Sequence, residues 1–148
     1  MGKITNENRR ALENADKYED AILSGMTKPE FTAELDLLIQ QKGISTQTIV
    51  ERTHLSKSYI NKLRSPSEKA LHPSRYVIID IALAINASLE EINHLLKLAQ
   101  YQELYTRNKA ESLIIWGLLK KLSGEEIHNQ LFEQGLDDIF KERILKEK

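Results

Sequence analysis

The chain contains no cysteine among its 148 residues, which excludes a disulfide framework and a thiolate zinc site. It also lacks any apolar run approaching the ~18 residues that a membrane-crossing helix requires. Its opening stretch, MGKITNENRRALENADKYED, is too polar for a secretion signal, so a cytoplasmic location without a membrane partner is the expectation. Catalytic signatures are missing as well: there is no HExxH, no phosphate-cradling Gly-rich loop and no serine elbow. Two Glu-x-x-His matches remain, Glu91 with His94 and Glu125 with His128, a spacing found in di-iron bundles. They fail on phase, because an internal repeat aligns His128 with Asn93 rather than His94, and one residue is roughly 100° around a helix. The partner helices offer Ile79, Leu83, Ile114 and Leu118 where bridging carboxylates would be needed. Surface pairs of Glu with His account for both matches, and neither a cofactor, a metal nor an enzymatic activity is expected.

What is present is helical patterning with marked starts. Thr27-Lys28-Pro29-Glu30 reads as a capping box with Pro in the first turn, followed by Phe31, Leu35, Leu38 and Ile39 at helical spacing until Gly43. Pro73 is expected to open a helix with Val77, Ile78, Ile81, Ala82 and Ile85 in phase. Ser88 to Glu91 caps another that carries Ile92, Leu95, Leu96 and Ala99. Upstream, Leu12, Ala15, Tyr18, Glu19 and Ile22 suggest a weaker amphipathic helix in an N-terminal arm, residues 1–26. The fold class is all-α.

The stretch from Ile44 to Pro66, ISTQTIVERTHLSKSYINKLRSP, fits two short helices joined by a tight turn. Ile49 and Val50 point inward from the first helix, and the turn runs through Thr53, His54 and Leu55. Ser56 caps a second helix buried through Ile60 and Leu63. Such a helix-turn-helix places its second helix in the major groove of DNA. These residues resemble the lambda repressor-like, Cro/C1-type (XRE) family at Ile44, Ser45, Ile49, Leu55, Ser56, Ile60 and Leu63. Three positions depart from that family's pattern: Val50 stands for the usual Ala, His54 for the usual Gly, and Pro66 where a loop glycine falls. A non-Gly residue at His54 must accept a left-handed backbone or avoid it by a small shift. The resemblance covers Ile44 to Phe140 and implies a five-helix DNA-binding core at residues 27–105, with further short helices appended at 106–148.

A net charge of −1 is unpromising for a polyanion partner until the charges are placed. Between Arg52 and Arg75 lie six basic residues, Arg52, Lys57, Lys62, Arg64, Lys69 and Arg75, against one acid, Glu68. That cluster coincides with the motif and its following loop, as a phosphate-facing surface requires. Gln47 and Ser56 are the candidates for fixing register on phosphate, with Arg64 and Lys69 adding sequence-independent attraction. Lys57, Ser58, Asn61 and Lys62 are the candidates for base edges, Asn suiting adenine and Lys guanine. Tyr59 either stacks on the nucleic acid or packs on the core.

At an offset of 35 residues, Ser88 to Tyr105 lines up with Ser123 to Phe140, with Ser88, Glu90, Glu91, Ile92 and Leu96 repeated identically. The unit is a helix, a Ser-capped turn, a second helix and an apolar-aromatic closing contact at Leu104-Tyr105 or Ile139-Phe140. Units of this kind stack to bury a shared core. The helix expected from Ser112 to Leu122 is apolar around most of its circumference, which demands cover on nearly every side. Leu113, Trp116 and Leu119 are therefore the favoured contact of a homodimer, whose two-fold symmetry would suit paired half-sites, the alternative being that the N-terminal helix covers this face within one chain. The expectation is a transcriptional regulator, a repressor by preference, bound to double-stranded DNA as a homodimer. The rival is a protein-binding scaffold, such as an antitoxin, an inhibitor or a phage or mobile-element factor, built on the same helices.

Overall fold

A computed structural model describes residues 30–65 and 72–140. The N-terminal arm, the capping box before Glu30, Pro66 and Lys69 lie outside these residues. Within them all regular secondary structure is helical: α1 Glu30–Lys42, α2 Thr46–Thr53, α3 Lys57–Arg64, α4 Arg75–Ala84, α5 Leu89–Leu98, α6 Lys109–Leu119 and α7 Gly124–Glu133, with a further helical turn at residues 138–140. None of them is long and apolar enough to cross a membrane.

The starts of α2 to α7 are each written in a short polar side chain. Ser45, Ser56 and Ser74 accept from the backbone N–H three residues on, and Asn108 does the same for α6. Such a cap satisfies an N–H that the first helical turn leaves without a partner, a contribution of about 1 kcal/mol. Two starts differ from the sequence reading. Pro73 precedes the Ser74 cap rather than opening α4, and α6 begins at Lys109, one turn earlier than Ser112. In both cases the capping oxygen sets the boundary, and the apolar pattern marks only where burial begins.

His54 takes the left-handed conformation, φ 63° and ψ 15°, with its N–H bonded to the Val50 carbonyl oxygen at 2.8 Å. The chain therefore accepts left-handed strain at this turn with a residue other than glycine. His54 is exposed and contributes nothing to the core. Replacing His54 with Gly removes roughly 1–2 kcal/mol of left-handed strain and restores about half as much in unfolded-chain entropy. The expected result is a net stabilisation of about 0.5–1 kcal/mol in urea titration; an unchanged or lowered midpoint would show that the turn is unstrained.

α4 is the hub, with Val77 through Ile85 all buried. α2 packs on it from one side, α7 from another, and α5 returns along it. Burying a Leu or Ile side chain fully is worth about 1.5–3 kcal/mol before entropy is subtracted, so this helix carries much of the core.

The repeat is structural as well as sequential. Both capping boxes form, Ser88 with Glu91 and Ser123 with Glu126. Left-handed residues recur at the 35-residue offset, Asn86 (φ 58°) with Lys121 (64°) and Gln100 (68°) with Gly135 (69°). The same C-terminal backbone bonds close both first helices, Ala87 N to Ala82 O and Leu122 N to Gly117 O, each 2.9 Å. The copies meet through equivalent positions. The Tyr76 hydroxyl donates to its counterpart Glu111, while Leu83 and Leu118 line one groove of about 440 Å³ together with both turns. That is the signature of two-fold-like packing, where a patch contacts its own equivalent. The closing contact departs from expectation: the first copy buries Leu104 and exposes Tyr105, and the second buries Phe140 and leaves Ile139 at the edge.

Candidate nucleic-acid interface

α2 and α3 are joined by His54, Leu55 and Ser56. The turn is locked from within. Buried Thr53 donates its hydroxyl to the Ile49 carbonyl oxygen at 2.7 Å and accepts from Leu55 N at 3.2 Å, and Leu55 is buried. Ile60 and Leu63 pin the inner face of α3, and Tyr59 is half-buried against the core. Tyr59 is therefore chiefly a packing residue, the second of the two roles open to it.

The outer face of α3 presents Lys57, Ser58, Asn61 and Lys62, all exposed. Neither Lys57 nor Lys62 takes part in an ion pair among the described residues. Asn61 is engaged through its carbonyl oxygen, which accepts from Ser65 Oγ at 2.9 Å. Ser56 Oγ accepts from Tyr59 N at 3.0 Å, leaving the Lys57 and Ser58 N–H groups without helical partners at the positive end of the helix dipole. Gln47 is exposed on the first turn of α2 and reaches Glu51 at 3.4 Å. The structure thus brings Gln47, Ser56, Lys57, Ser58, Asn61 and Lys62 to the surface of two adjoining helices.

Several basic residues of the cluster are bonded to the protein itself, which sequence alone did not show. Arg64 donates from Nε to Asp36 Oδ1 at 2.7 Å and from Nη1 to Thr46 Oγ1 at 2.9 Å, tying the end of α3 to α1 and α2. Its role in the protein is to fix the tilt of α3. Arg52 Nη1 donates to the Ala84 carbonyl oxygen at 2.6 Å, at the end of α4. Arg75 donates to both carboxylate oxygens of Glu111, at 3.0 and 2.6 Å, and to the carbonyl oxygens of Gln102 and Glu103 at 2.6 and 2.9 Å. Of the five basic residues of the cluster that are described, Lys57 and Lys62 are the two on the outer face of α3.

Glu111 is buried, and burial alone would raise its carboxyl. The bonds from Arg75, Tyr105 N and the Tyr76 hydroxyl outweigh that effect and hold it below the usual glutamate value. Lys42 at the end of α1 reaches Glu91 Oε1 at 2.8 Å; with the Ser88 bonds it outweighs partial burial and likewise holds Glu91 below the usual value.

His94 is exposed, but His128 is not a surface partner of Glu125. Its Nε2 lies 3.0 Å from Asp80 Oδ1 on α4, and its ring packs on Phe140 at 4.8 Å. Among the described residues no group of three or more His, Asp or Glu could hold a metal ion. Leu113 is half-buried, Trp116 is 46% exposed and Leu119 64% exposed, so the residues expected at a dimer contact lie at the surface of α6. Comparison with protein-family models, with curated proteins and with solved structures returned no match.

Proposed function

We propose that this protein is a sequence-specific DNA-binding regulator with a lambda repressor-like core, acting as a homodimer on paired half-sites and repressing by occupying its operator. The observation that carries the reading is the outer face of α3: two exposed lysines in no ion pair among the described residues, an asparagine and a serine, on a short helix whose Ile60 and Leu63 are buried. A helix held this rigidly, with donors of that kind outward, suits the major groove. The inward Arg64 strengthens the reading, because base readout requires a fixed helix tilt as well as outward donors. No catalytic role is assigned to any residue, and double-stranded DNA is the only partner this surface is asked to meet.

The test begins by selecting bound duplexes from a random pool and titrating the enriched sequence by fluorescence anisotropy at several salt concentrations. Phosphate contacts release counterions, so the plot of log affinity against log salt is expected to be linear with a negative slope of about 0.9 for each phosphate neutralised. An enriched palindrome with that slope supports the reading. Retention of no duplex even at low ionic strength overturns it.

A further inference from the structure

The two-fold-like repeat carries an inference about α6. On α4, Tyr76, Asp80 and Leu83 form the lane that meets the second hairpin. At ~100° per residue, Ile78, Ile81 and Ile85 lie on the far side of the same helix, and all three are buried. The first hairpin has α2 packed against α4, anchored where Arg52 bonds the Ala84 carbonyl oxygen. α5 has its counterpart in α7, but no described helix stands to α6 as α2 stands to α4. The equivalents of Ile81 and Ala84, each at most 3% exposed, are Trp116 and Leu119 at 46% and 64%. The second copy keeps an apolar helix seat that the first copy fills.

Charge decides what fills it. The lane opposite the hairpin contact on α6 runs Lys109, Leu113, Trp116 and Lys120, an apolar pair with a lysine at each end. Neither lysine is in an ion pair among the described residues, and Glu111, the acid of this helix, is buried against Arg75. Pairing this face with a second copy about a two-fold axis sets lysine against lysine whichever way the helices run. We propose that the Leu113–Trp116–Leu119 face is a docking seat for an acidic amphipathic helix of a partner protein, laid across α6 as α2 is laid across α4. This inference goes beyond the DNA-binding reading and places the dimer contact expected at this face elsewhere.

Trp116 is the only tryptophan in the chain, so its emission reports the seat directly. The probe is a synthetic 15-residue helical peptide with leucines on one face, glutamates flanking them and no aromatic residue. Titrated into the full chain, it is expected to give a saturable blue shift that weakens with salt. A control peptide with lysine in place of each glutamate is expected to give none. The exposed pair Lys109→Glu and Lys120→Glu, checked for an unchanged circular dichroism spectrum, is expected to weaken the acidic peptide on the order of tenfold and to admit the basic one. Leu119→Ala in the otherwise native chain provides a second variant that keeps the charges and should weaken docking. Absence of a saturable shift, equal responses to both peptides, or a blue shift that appears with protein concentration alone alongside sedimentation as a dimer would each overturn the proposal, the last by assigning the face to a second copy.

Discussion

Glu111→Gln is expected to destabilise the protein by about 3–5 kcal/mol, the cost of removing one partner of a buried ion pair. Arg75 makes two of its bonds to this carboxylate, at 2.6 and 3.0 Å, and its side chain is 15% exposed against 4% for Glu111. A neutral amide leaves the guanidinium charge without compensation where water reaches it poorly. Because Tyr76 and Tyr105 N donate to the same carboxylate, the variant also loosens α4 from α6 and from the segment between the hairpins. Urea unfolding measures the loss. Adding Arg75→Met to Glu111→Gln recovers part of it by removing the orphaned charge, whereas a variant within about 0.5 kcal/mol of the parent would show the pair to be neutral. The pH dependence has a definite sign. The Glu111 carboxyl is lowered on folding, so its contribution is present in full above the ordinary glutamate value of about 4.3 and is lost as pH falls through its lowered folded value. Glu91, also lowered, acts in the same direction. The parent should therefore lose stability more steeply than Glu111→Gln as pH falls below about 4.3.

Gly124→Ala is the second large effect, and its cause is backbone against backbone. A Cβ on Gly124 would overlap the Leu83 carbonyl oxygen and lie 2.6 Å from its carbonyl carbon. No rotamer change relieves that. The hairpins must part, breaking the 2.8 Å bond from Gly124 N to Asn86 Oδ1 that joins the two turns. The expected cost is about 3 kcal/mol or more, at the upper end of overpacking penalties. Gly117→Ala provides the contrast: the nearest atoms to its Cβ would be side-chain carbons, Ile127 Cγ1 at 2.6 Å and Leu122 Cδ1 at 3.6 Å, and Ile127 can repack at a cost of about 1–2 kcal/mol. Thermal unfolding that ranked Gly117→Ala as the worse of the two would contradict the close approach of α7 to α4.

Much of the fold was legible in the sequence because it is encoded locally. Ser45, Ser56, Ser88 and Ser123 announce helix starts within four residues of themselves, and Ile49, Ile60, Leu63, Ile92 and Ile127 declare burial by spacing alone. The 35-residue repeat was visible for the same reason. What stayed hidden were polar contacts between residues distant in sequence: Arg64 with Asp36 across 28 positions, Arg75 with Glu111 across 36, His128 with Asp80 across 48. A charged residue in a sequence looks the same whether it meets water, phosphate or a buried carboxylate, so a basic cluster overstates the charge available to a ligand. Gly124 stands opposite Leu89 in the repeat, a sequence sign of the close approach that the structure shows there.

The same distinction bears on α3. Lys57, Asn61 and Lys62 stand outward on α3 with no role in holding it, whereas Arg64 holds it and stands inward. The most direct measurement is therefore an anisotropy titration of the selected duplex with the parent and with the variant in which Lys57, Asn61 and Lys62 are all changed to Ala, after both are shown to unfold at the same urea midpoint. Lost base contacts worth about 1–3 kcal/mol each predict a fall of at least a hundredfold in specific affinity with the fold intact. A variant that binds the duplex as tightly as its parent would contradict the account.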